Sequence, residues 1–401
     1  MKDKMLGHQK ILFWLVSAIS LFAILACSML PSNIIIPGAE QIGLVKSTLA
    51  GKRVGLIVNQ SSRVGELHLI DALQAERINI TKLFAVEHGI RGTQDAGAII
   101  DNSRDKSSGL PIISIYGNKK TPTRQDVQDL DILVFDLQDV GVRFYTYLSS
   151  LHYIMESCAQ NNVPLLVLDR PNPNGFHIDG PILEPEFQSF VGMHAIPLLH
   201  GMTLGELAKM INGEGWLTNK QTCDLTVIPV KNYTHTTEYI LPIKPSPNLP
   251  NQQAIALYPS LALFEATNIS VGRGTDFPFQ VLGGIHPEYG DFTFTPEPKP
   301  GAAFNPKLNG QKLYGSDLRQ SQISGLNIEL FIDWYGRANK LNENLGAPFL
   351  TRPAWLDKLM GTAKFRQQVE TGQSAEMIRM SWKTGLDAFK QRRKLYLLYP
   401  N

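Results

Sequence analysis

The sequence predicts an α/β protein, with a doubly wound, mostly parallel sheet in the first half of the chain and a second, smaller α+β domain behind it. Three observations carry this. Six short, near-continuous apolar runs recur between residues 53 and 230, segments with helical spacing separate them, and after about residue 235 the pattern gives way to proline-rich, loop-rich sequence. Apolar runs without polar alternation suit strands buried on both faces, and parallel strands need a crossover between them. At 401 residues, 43% of them hydrophobic, the chain can bury the cores of two domains.

Taken in order, the runs are Arg53–Val58, Ile80–Val86, Ile112–Tyr116, Ile132–Phe135, Val163–Leu168 and Leu225–Val230. Helical spacing marks Leu67–Leu73, Tyr147–Cys158 and Leu204–Ile211, the last entered through Thr203 with Glu206 three residues on as a capping box. Strand and helix thus alternate over residues 41–235. Residues 236–401 form the second domain, with helices around Glu329–Trp334, Trp355–Met360 and Trp382–Lys394. In such a body the cleft between the domains is the default ligand site.

The N-terminus carries Lys2, Lys4 and Lys10, then the apolar run Ile11–Ala26, which is the order of a secretory signal. Leu25-Ala26-Cys27 resembles a bacterial lipobox, so residues 1–27 are expected to direct export and Cys27 to receive lipid. Residues 28–40, with Pro31, Pro37 and Gly38, then tether a membrane-anchored lipoprotein that faces the periplasm or the cell exterior. The 38 basic and 36 acidic residues are spread along the chain, which excludes a nucleic-acid footprint. Cys158 and Cys223 remain and could form one disulfide, and no Cys/His group has zinc-ligand spacing.

Reactive groups of a doubly wound sheet lie beyond the carboxyl ends of its strands. There the sequence places Asn59-Gln60-Ser61, Glu87-His88, Gly117-Asn118, Asp136-Leu-Gln138-Asp139 with Arg143 and Tyr145, and Asp169-Arg170-Pro-Asn172. Glu87 ends a buried run and is followed by Gly89 and Gly92, which suits a general acid, although a capping or ion-pair role is equally open. His88 could assist, ligate a metal or bond a carbonyl. Asp136, Gln138 and Asp139 read as a hydrogen-bonding wall for a polyhydroxylated ligand or as loop caps. Asp169-Arg170 reads as a second carboxylate with a cation, or as an ion pair fixing the turn. His200 is open, and Arg273 between Gly272 and Gly274 could approach a carboxylate or phosphate bidentately. Paired carboxylates across a cleft are what glycoside hydrolysis requires.

Several longer stretches then point to a family. Phe84–Gly92, Val134–Tyr147, Leu168–Gly175, Ser189-Phe190-Val191-Gly192, His200–Glu206, Pro245-Ser246-Pro247-Asn248 and Phe264–Thr275 closely resemble the NamZ-like exo-β-N-acetylmuramidases, once labelled only a domain of unknown function. Val86 departs from the proline expected before Glu-His-Gly. The resemblance implies a Rossmann-like first domain and release of N-acetylmuramic acid from non-reducing ends of peptidoglycan fragments, with muropeptides as the partners. It favours Glu87 as a catalytic carboxylate, with Asp136, Asp169 and Glu265 competing to be the second, or the substrate's own acetamido group assisting. The lactyl carboxylate of the sugar needs a cation, for which Arg143, Arg170 and Arg273 are candidates. Its acetamido and hydroxyl groups call for Gln138, Asn172, Asn248 and Asn268, and Tyr145, Ser246 and Thr267 fall within the same motifs. The expected chemistry is metal-free and needs no cofactor. The alternative from another class is a non-catalytic muropeptide-binding lipoprotein.

Overall fold

The apolar runs become strands because most of their side chains find a hydrophobic layer. In chain order the computed structural model, which describes residues 34–87, 89–91, 103–342 and 348–401, forms β1 (Val54–Val58), the short pair β2 (Arg63–Val64) and β3 (Leu67–His68), β4 (Ile80–Ala85), β5 (Ser103–Arg104), β6 (Pro111–Ser114), β7 (Ile132–Asp136), β8 (Leu165–Leu168) and β9 (Leu225–Ile228). Seven of these make one sheet in the order β5-β6-β4-β1-β7-β8-β9. All its pairings are parallel except the two-residue edge strand β5. Apart from that edge, this is the Rossmann strand order, in which the chain works outward from β1 on one side and returns to work outward on the other.

Alternate side chains of each strand enter two different cores. Leu56, Val58, Leu83, Ala85, Val134, Leu166 and Leu168 pack with the helices Ile42–Leu49 and Leu69–Ala75. Ile57, Phe84, Leu133, Phe135, Leu165 and Val167 pack with Tyr147–Asn161 and Leu204–Gly213. A fully buried side chain of this size stabilises the fold by about 1.5–3 kcal/mol relative to leaving it exposed.

The second half adds a three-stranded antiparallel sheet in the order β10-β12-β11, from β10 (Val281–Gly284), β11 (Phe292–Phe294) and β12 (Leu313–Asp317). Around it lie the helices Gln252–Leu261, Ile328–Asn342, Pro353–Met360, Lys364–Glu370 and Ala375–Arg393. Residues Ile36–Asn401 form one compact unit.

Local readings differ from the structure in two places. Leu67–His68 is strand rather than helix: Arg63 pairs with His68, whose ring nitrogen then accepts from the Ile70 amide and starts the helix one residue later. The helix Gln252–Leu261, which carries Pro259, and the small sheet were not marked by their own sequence. Among the described residues no helix is long and apolar enough to cross a membrane. The expected signal, Cys27 and most of the tether lie outside the described residues. Cys158 and Cys223 are buried free thiols, and the Cys223 thiol, together with burial, pushes the Cys158 thiol above its ordinary value.

The last residues return to the large sheet. Tyr399 donates to Asp169 Oδ2 at 2.5 Å while its own oxygen accepts from the Val230 amide at 2.9 Å. The Leu398 amide donates to Glu206 at 2.8 Å, and Glu206 also meets His235 at 2.9 Å. Replacing Tyr399 by Phe removes one partner of a buried carboxylate. It should lower stability by about 1–3 kcal/mol in urea unfolding, and an unchanged midpoint would show that the tail does not act as a latch.

Candidate active site

Strand β4 carries Glu87 to the carboxyl edge, two residues past Ala85 and beside the switch point at β1. The turn closes with the Gly89 amide donating to the Val86 carbonyl at 3.0 Å. Glu87 is half-buried and held at both oxygens: the Tyr116 hydroxyl donates to Oε1 and the Thr146 hydroxyl to Oε2, each at 2.8 Å. Tyr116 lies just beyond the adjacent strand β6, and Thr146 precedes the helix Tyr147–Asn161, whose positive dipole end favours a carboxylate. Burial and then the Glu87 charge hold the Tyr116 hydroxyl well above its ordinary pKa, so it stays a donor.

The neighbouring loops fix this arrangement. Asn59 donates to the Tyr147 hydroxyl at 2.7 Å, while its own oxygen accepts from the Ser61 amide at 2.9 Å. The Gln138 amide donates to Ser61 Oγ, and Gln60 and the Tyr145 hydroxyl both donate to the Pro245 carbonyl. The Pro-Ser-Pro-Asn loop is thereby pinned over the strand ends. Asn248 ties its far end to the Ala302 carbonyl at 2.7 Å.

A second charged group comes from beyond the helix Gln252–Leu261. Glu265 accepts from Arg273 Nε at 2.7 Å, the two side chains being 25% and 26% exposed, and the guanidinium lies 4.8 Å over the Phe279 ring. Among the described residues that Nε contact is the only hydrogen bond of the guanidinium. Gly272 and Gly274 have φ of +79° and +84°, and a Cβ on Gly274 would lie 2.6 Å from the Glu297 carbonyl. Backbone shape is therefore the reason for the Gly-Arg-Gly sequence. Burial opposes the Arg273 charge, but Glu265, Tyr258 and Glu87 together raise its pKa. The Tyr258 hydroxyl is raised by burial and by Glu265, against Arg273, with Glu87 and Asp139 adding. Tyr258 and Arg273 thus lie within the electrostatic reach of both Glu87 and Glu265. Lys307 crimps the Glu265 segment by donating to the carbonyls of Phe264, Thr267 and Ile269. Burial lowers its pKa to about 8, with Glu265 opposing.

The other sequence candidates are engaged elsewhere. Asp136 is fully buried and paired bidentately with Arg170, at 2.5 Å to Nε and 2.9 Å to Nη2. Asp169 accepts from Thr203, Tyr399 and the Gly205 amide, and burial raises its pKa to about 6. Among the described residues Arg143 meets no carboxylate: it donates to the carbonyls of Pro181, Ile196 and Leu359, and burial lowers its pKa to about 9. Gln138 bonds the Asp139 and Pro171 carbonyls, and Asn172 the Met202 carbonyl. Asp139, raised by burial to about 7, accepts from the Gly141 amide and lies 3.9 Å from buried His200. Ser246 accepts from the Asn248 amide, and Thr267 donates to the Phe264 carbonyl. The buried Oδ1 of Asn268 has no hydrogen-bond partner among the described residues. His88 lies outside the described residues. Among those described, no group of three His, Cys, Asp or Glu residues gathers as a metal would need.

Sequence reasoning missed Tyr116, Thr146, Tyr258 and Lys307. Tyr116 and Thr146 lie 29 and 59 residues from Glu87, so no local pattern reports their bonds to it. Lys307 had no local signal either.

The chain is similar to known proteins over most of its length. Residues 54–253 match the N-terminal region, and residues 256–399 the C-terminal region, described as exo-β-N-acetylmuramidase NamZ. The peptidoglycan β-N-acetylmuramidase NamZ of Bacillus subtilis (strain 168) is 39% identical over 88% of each chain. Two crystal structures of DUF1343 family proteins from Bacteroides fragilis NCTC 9343 superpose with TM-scores of 0.82 and 0.78. They are 44% and 28% identical and are covered over 99% and 100% of their length, with 92% of this chain covered in each case.

Asp136→Asn leaves the Arg170 charge buried without its counter-ion, which costs about 3–5 kcal/mol. Thermal unfolding should therefore shift down steeply, whereas turnover per folded molecule should change far less than for a reacting carboxylate. Wild-type stability with lost turnover would instead make Asp136 part of the chemistry.

Proposed function

We propose the following reaction from one premise: this chain belongs to the exo-β-N-acetylmuramidase NamZ family. It is a glycoside hydrolase that releases N-acetylmuramic acid from the non-reducing ends of peptidoglycan fragments, a step in cell-wall turnover. The observation that carries the site assignment is the half-buried Glu87 carboxyl, clamped by two hydroxyls at the mouth of the parallel sheet.

Glu87 acts as general acid and protonates the glycosidic oxygen as the bond to the sugar breaks. A hydroxyl both donates and accepts, so the Tyr116 and Thr146 clamp holds the carboxyl in either protonation state and fixes its direction. Among the three candidates for the second carboxylate, Asp136 and Asp169 are sealed behind buried partners, whereas Glu265 is a quarter exposed. Glu265, held by Arg273, faces the oxocarbenium-like centre, and water adds to that carbon, its proton passing to a carboxylate, to leave the free sugar. The Nη groups of Arg273 take the lactyl carboxylate in a bidentate pair. Tyr258 stays protonated and donates to the sugar, and the unpartnered Asn268 Oδ1 accepts from the acetamido N–H.

The N-terminal order of lysines, apolar run and Cys27 supports export and attachment to a membrane through a lipid on that cysteine, which would place the enzyme on the outer side of the membrane with its substrate.

A disaccharide with N-acetylmuramic acid at its non-reducing end, followed by NMR, should yield the two free sugars. Saturable binding without product would replace the enzyme by a muropeptide carrier. A charge-assisted hydrogen bond contributes about 1.5–3 kcal/mol, so Arg273→Ala should raise KM on the order of tenfold or more. It should also narrow the preference over a substrate lacking the lactyl group, and an undiminished preference would remove Arg273 from that role.

A further inference from the structure

One charge is left unused by this chemistry. Lys307 lies half-buried in the loop between β11 and β12, and its ammonium sits inside a bend of backbone made by residues 264–269. It donates to the carbonyls of Phe264 at 3.2 Å, Glu265 at 3.4 Å, Thr267 at 2.5 Å and Ile269 at 3.1 Å. An ammonium has three protons and no acceptor, so four carbonyl oxygens share three hydrogens around one full positive charge.

The bend begins where a helix runs out. Gln252–Leu261 continues into the tighter turn Ala262–Ala266, and the last carbonyls of a helix have no partner within it and carry the negative end of its dipole. A lysine beside a helix end is an ordinary cap. Thr267 and Ile269 lie past that end, so here the ammonium also draws the following turn around itself. Other backbone groups of the bend are held from outside it. The Ala266 carbonyl accepts from the Thr351 and Arg352 amides at 3.0 and 2.9 Å, and the Asn268 amide donates to the Phe349 carbonyl at 2.9 Å.

Of residues 261–270 only Glu265 and Asn268 are not buried. Arg273 holds the Glu265 side chain while Lys307 holds its main chain, and the Asn268 Oδ1 has no hydrogen-bond partner among the described residues. Burial lowers the pKa of Lys307 to about 8, with Glu265 raising it and Arg352 and Arg273 lowering it. A charge disfavoured in this way is tolerated because the carbonyls replace its lost water. Carbonyl oxygens gathered around one point are also how proteins replace the hydration shell of a potassium ion.

We propose that the bend over residues 264–269 is a monovalent-cation site that this chain fills with its own Lys307, which makes the ammonium a positioning residue for Glu265 and Asn268. This rests on the hydrolase reading above, in which both groups act on the N-acetylmuramic acid ring. Supplying the cation as a side chain fixes the bend whatever ions the medium holds.

The test uses the N-acetylmuramic acid disaccharide and β-N-acetylmuramyl fluoride, assayed in tetramethylammonium chloride, whose cation is too bulky for the bend. In Lys307→Ala kcat/KM should fall by about ten- to a hundredfold, the scale of a displaced reacting group. The fall should be alike on both substrates, because Glu265 and Asn268 serve the sugar they share. Replacing tetramethylammonium by potassium or ammonium should restore most of the activity. Lys307→Met, which keeps the stem without the charge and fills the space, should lose as much and not respond to either cation. An alanine variant that loses nothing, a loss that neither cation relieves, or a methionine variant that responds equally would overturn the cation site. Where Lys307→Ala turns over too slowly to assay, potassium should raise its melting temperature, and melting indifferent to potassium would overturn the site as well. Wild-type protein that hydrolyses neither substrate would overturn the hydrolase reading itself, while cation-dependent melting of Lys307→Ala would still report the site.

Discussion

The bidentate ion pair between Asp136 and Arg170 sets the edge on which the site is built. β7 and β8 run side by side, and the residues that end their apolar stretches meet as opposite charges in a fully buried position. Such a pair costs several kcal/mol per ion to desolvate and holds only where its geometry is satisfied, so the two strand ends cannot drift apart. Arg170 also donates to the Arg63 carbonyl, and Ser62 donates to the Asp136 carbonyl, which draws in the loop beyond β1. From there Ser61, Gln138, Asn59 and Tyr147 pass the constraint to the start of the long helix, where Thr146 meets Glu87.

A parallel sheet gathers polar residues beyond its strand ends because most positions within the strands are buried in apolar layers. Gathering them there does not make each one reactive. Asp169, Glu206 and His235 are occupied with the returning C-terminus, Arg143 with three carbonyls, and Gln138 and Asn172 with the turns around them. Their common property is burial, at 8% exposure or less for every one of these side chains' residues that ends in a charge. Glu87, Glu265 and Arg273 differ in being only partly buried. The division between framework and chemistry follows solvent access rather than residue type.

The sheet was legible because its signal is local. A run such as Ile132–Phe135 or Leu165–Leu168 identifies a two-faced strand without reference to the rest of the chain, and the Thr203–Glu206 box marked its helix directly. The small sheet was not, because β10 carries two glycines and β11 is three residues long, too little for any period to register. At the site, Glu87 was legible by its position after an apolar run. That Arg143 is spent on backbone carbonyls was not: its partners lie 38, 53 and 216 residues away, and no local pattern reports them. Lys307 and the Tyr258 ring were hidden for the same reason, their environment being made by distant segments.

The central claim is that Glu87 delivers a proton to the leaving group. Fluoride leaves without protonation, whereas a sugar alkoxide does not, so Glu87→Gln separates acid catalysis from every other role of the residue. The expected result is a loss on the order of 10²–10⁴-fold in kcat on the N-acetylmuramic acid disaccharide, with hydrolysis of β-N-acetylmuramyl fluoride reduced by less than tenfold. Equal losses on the two substrates, or near-normal turnover of the disaccharide, would contradict it.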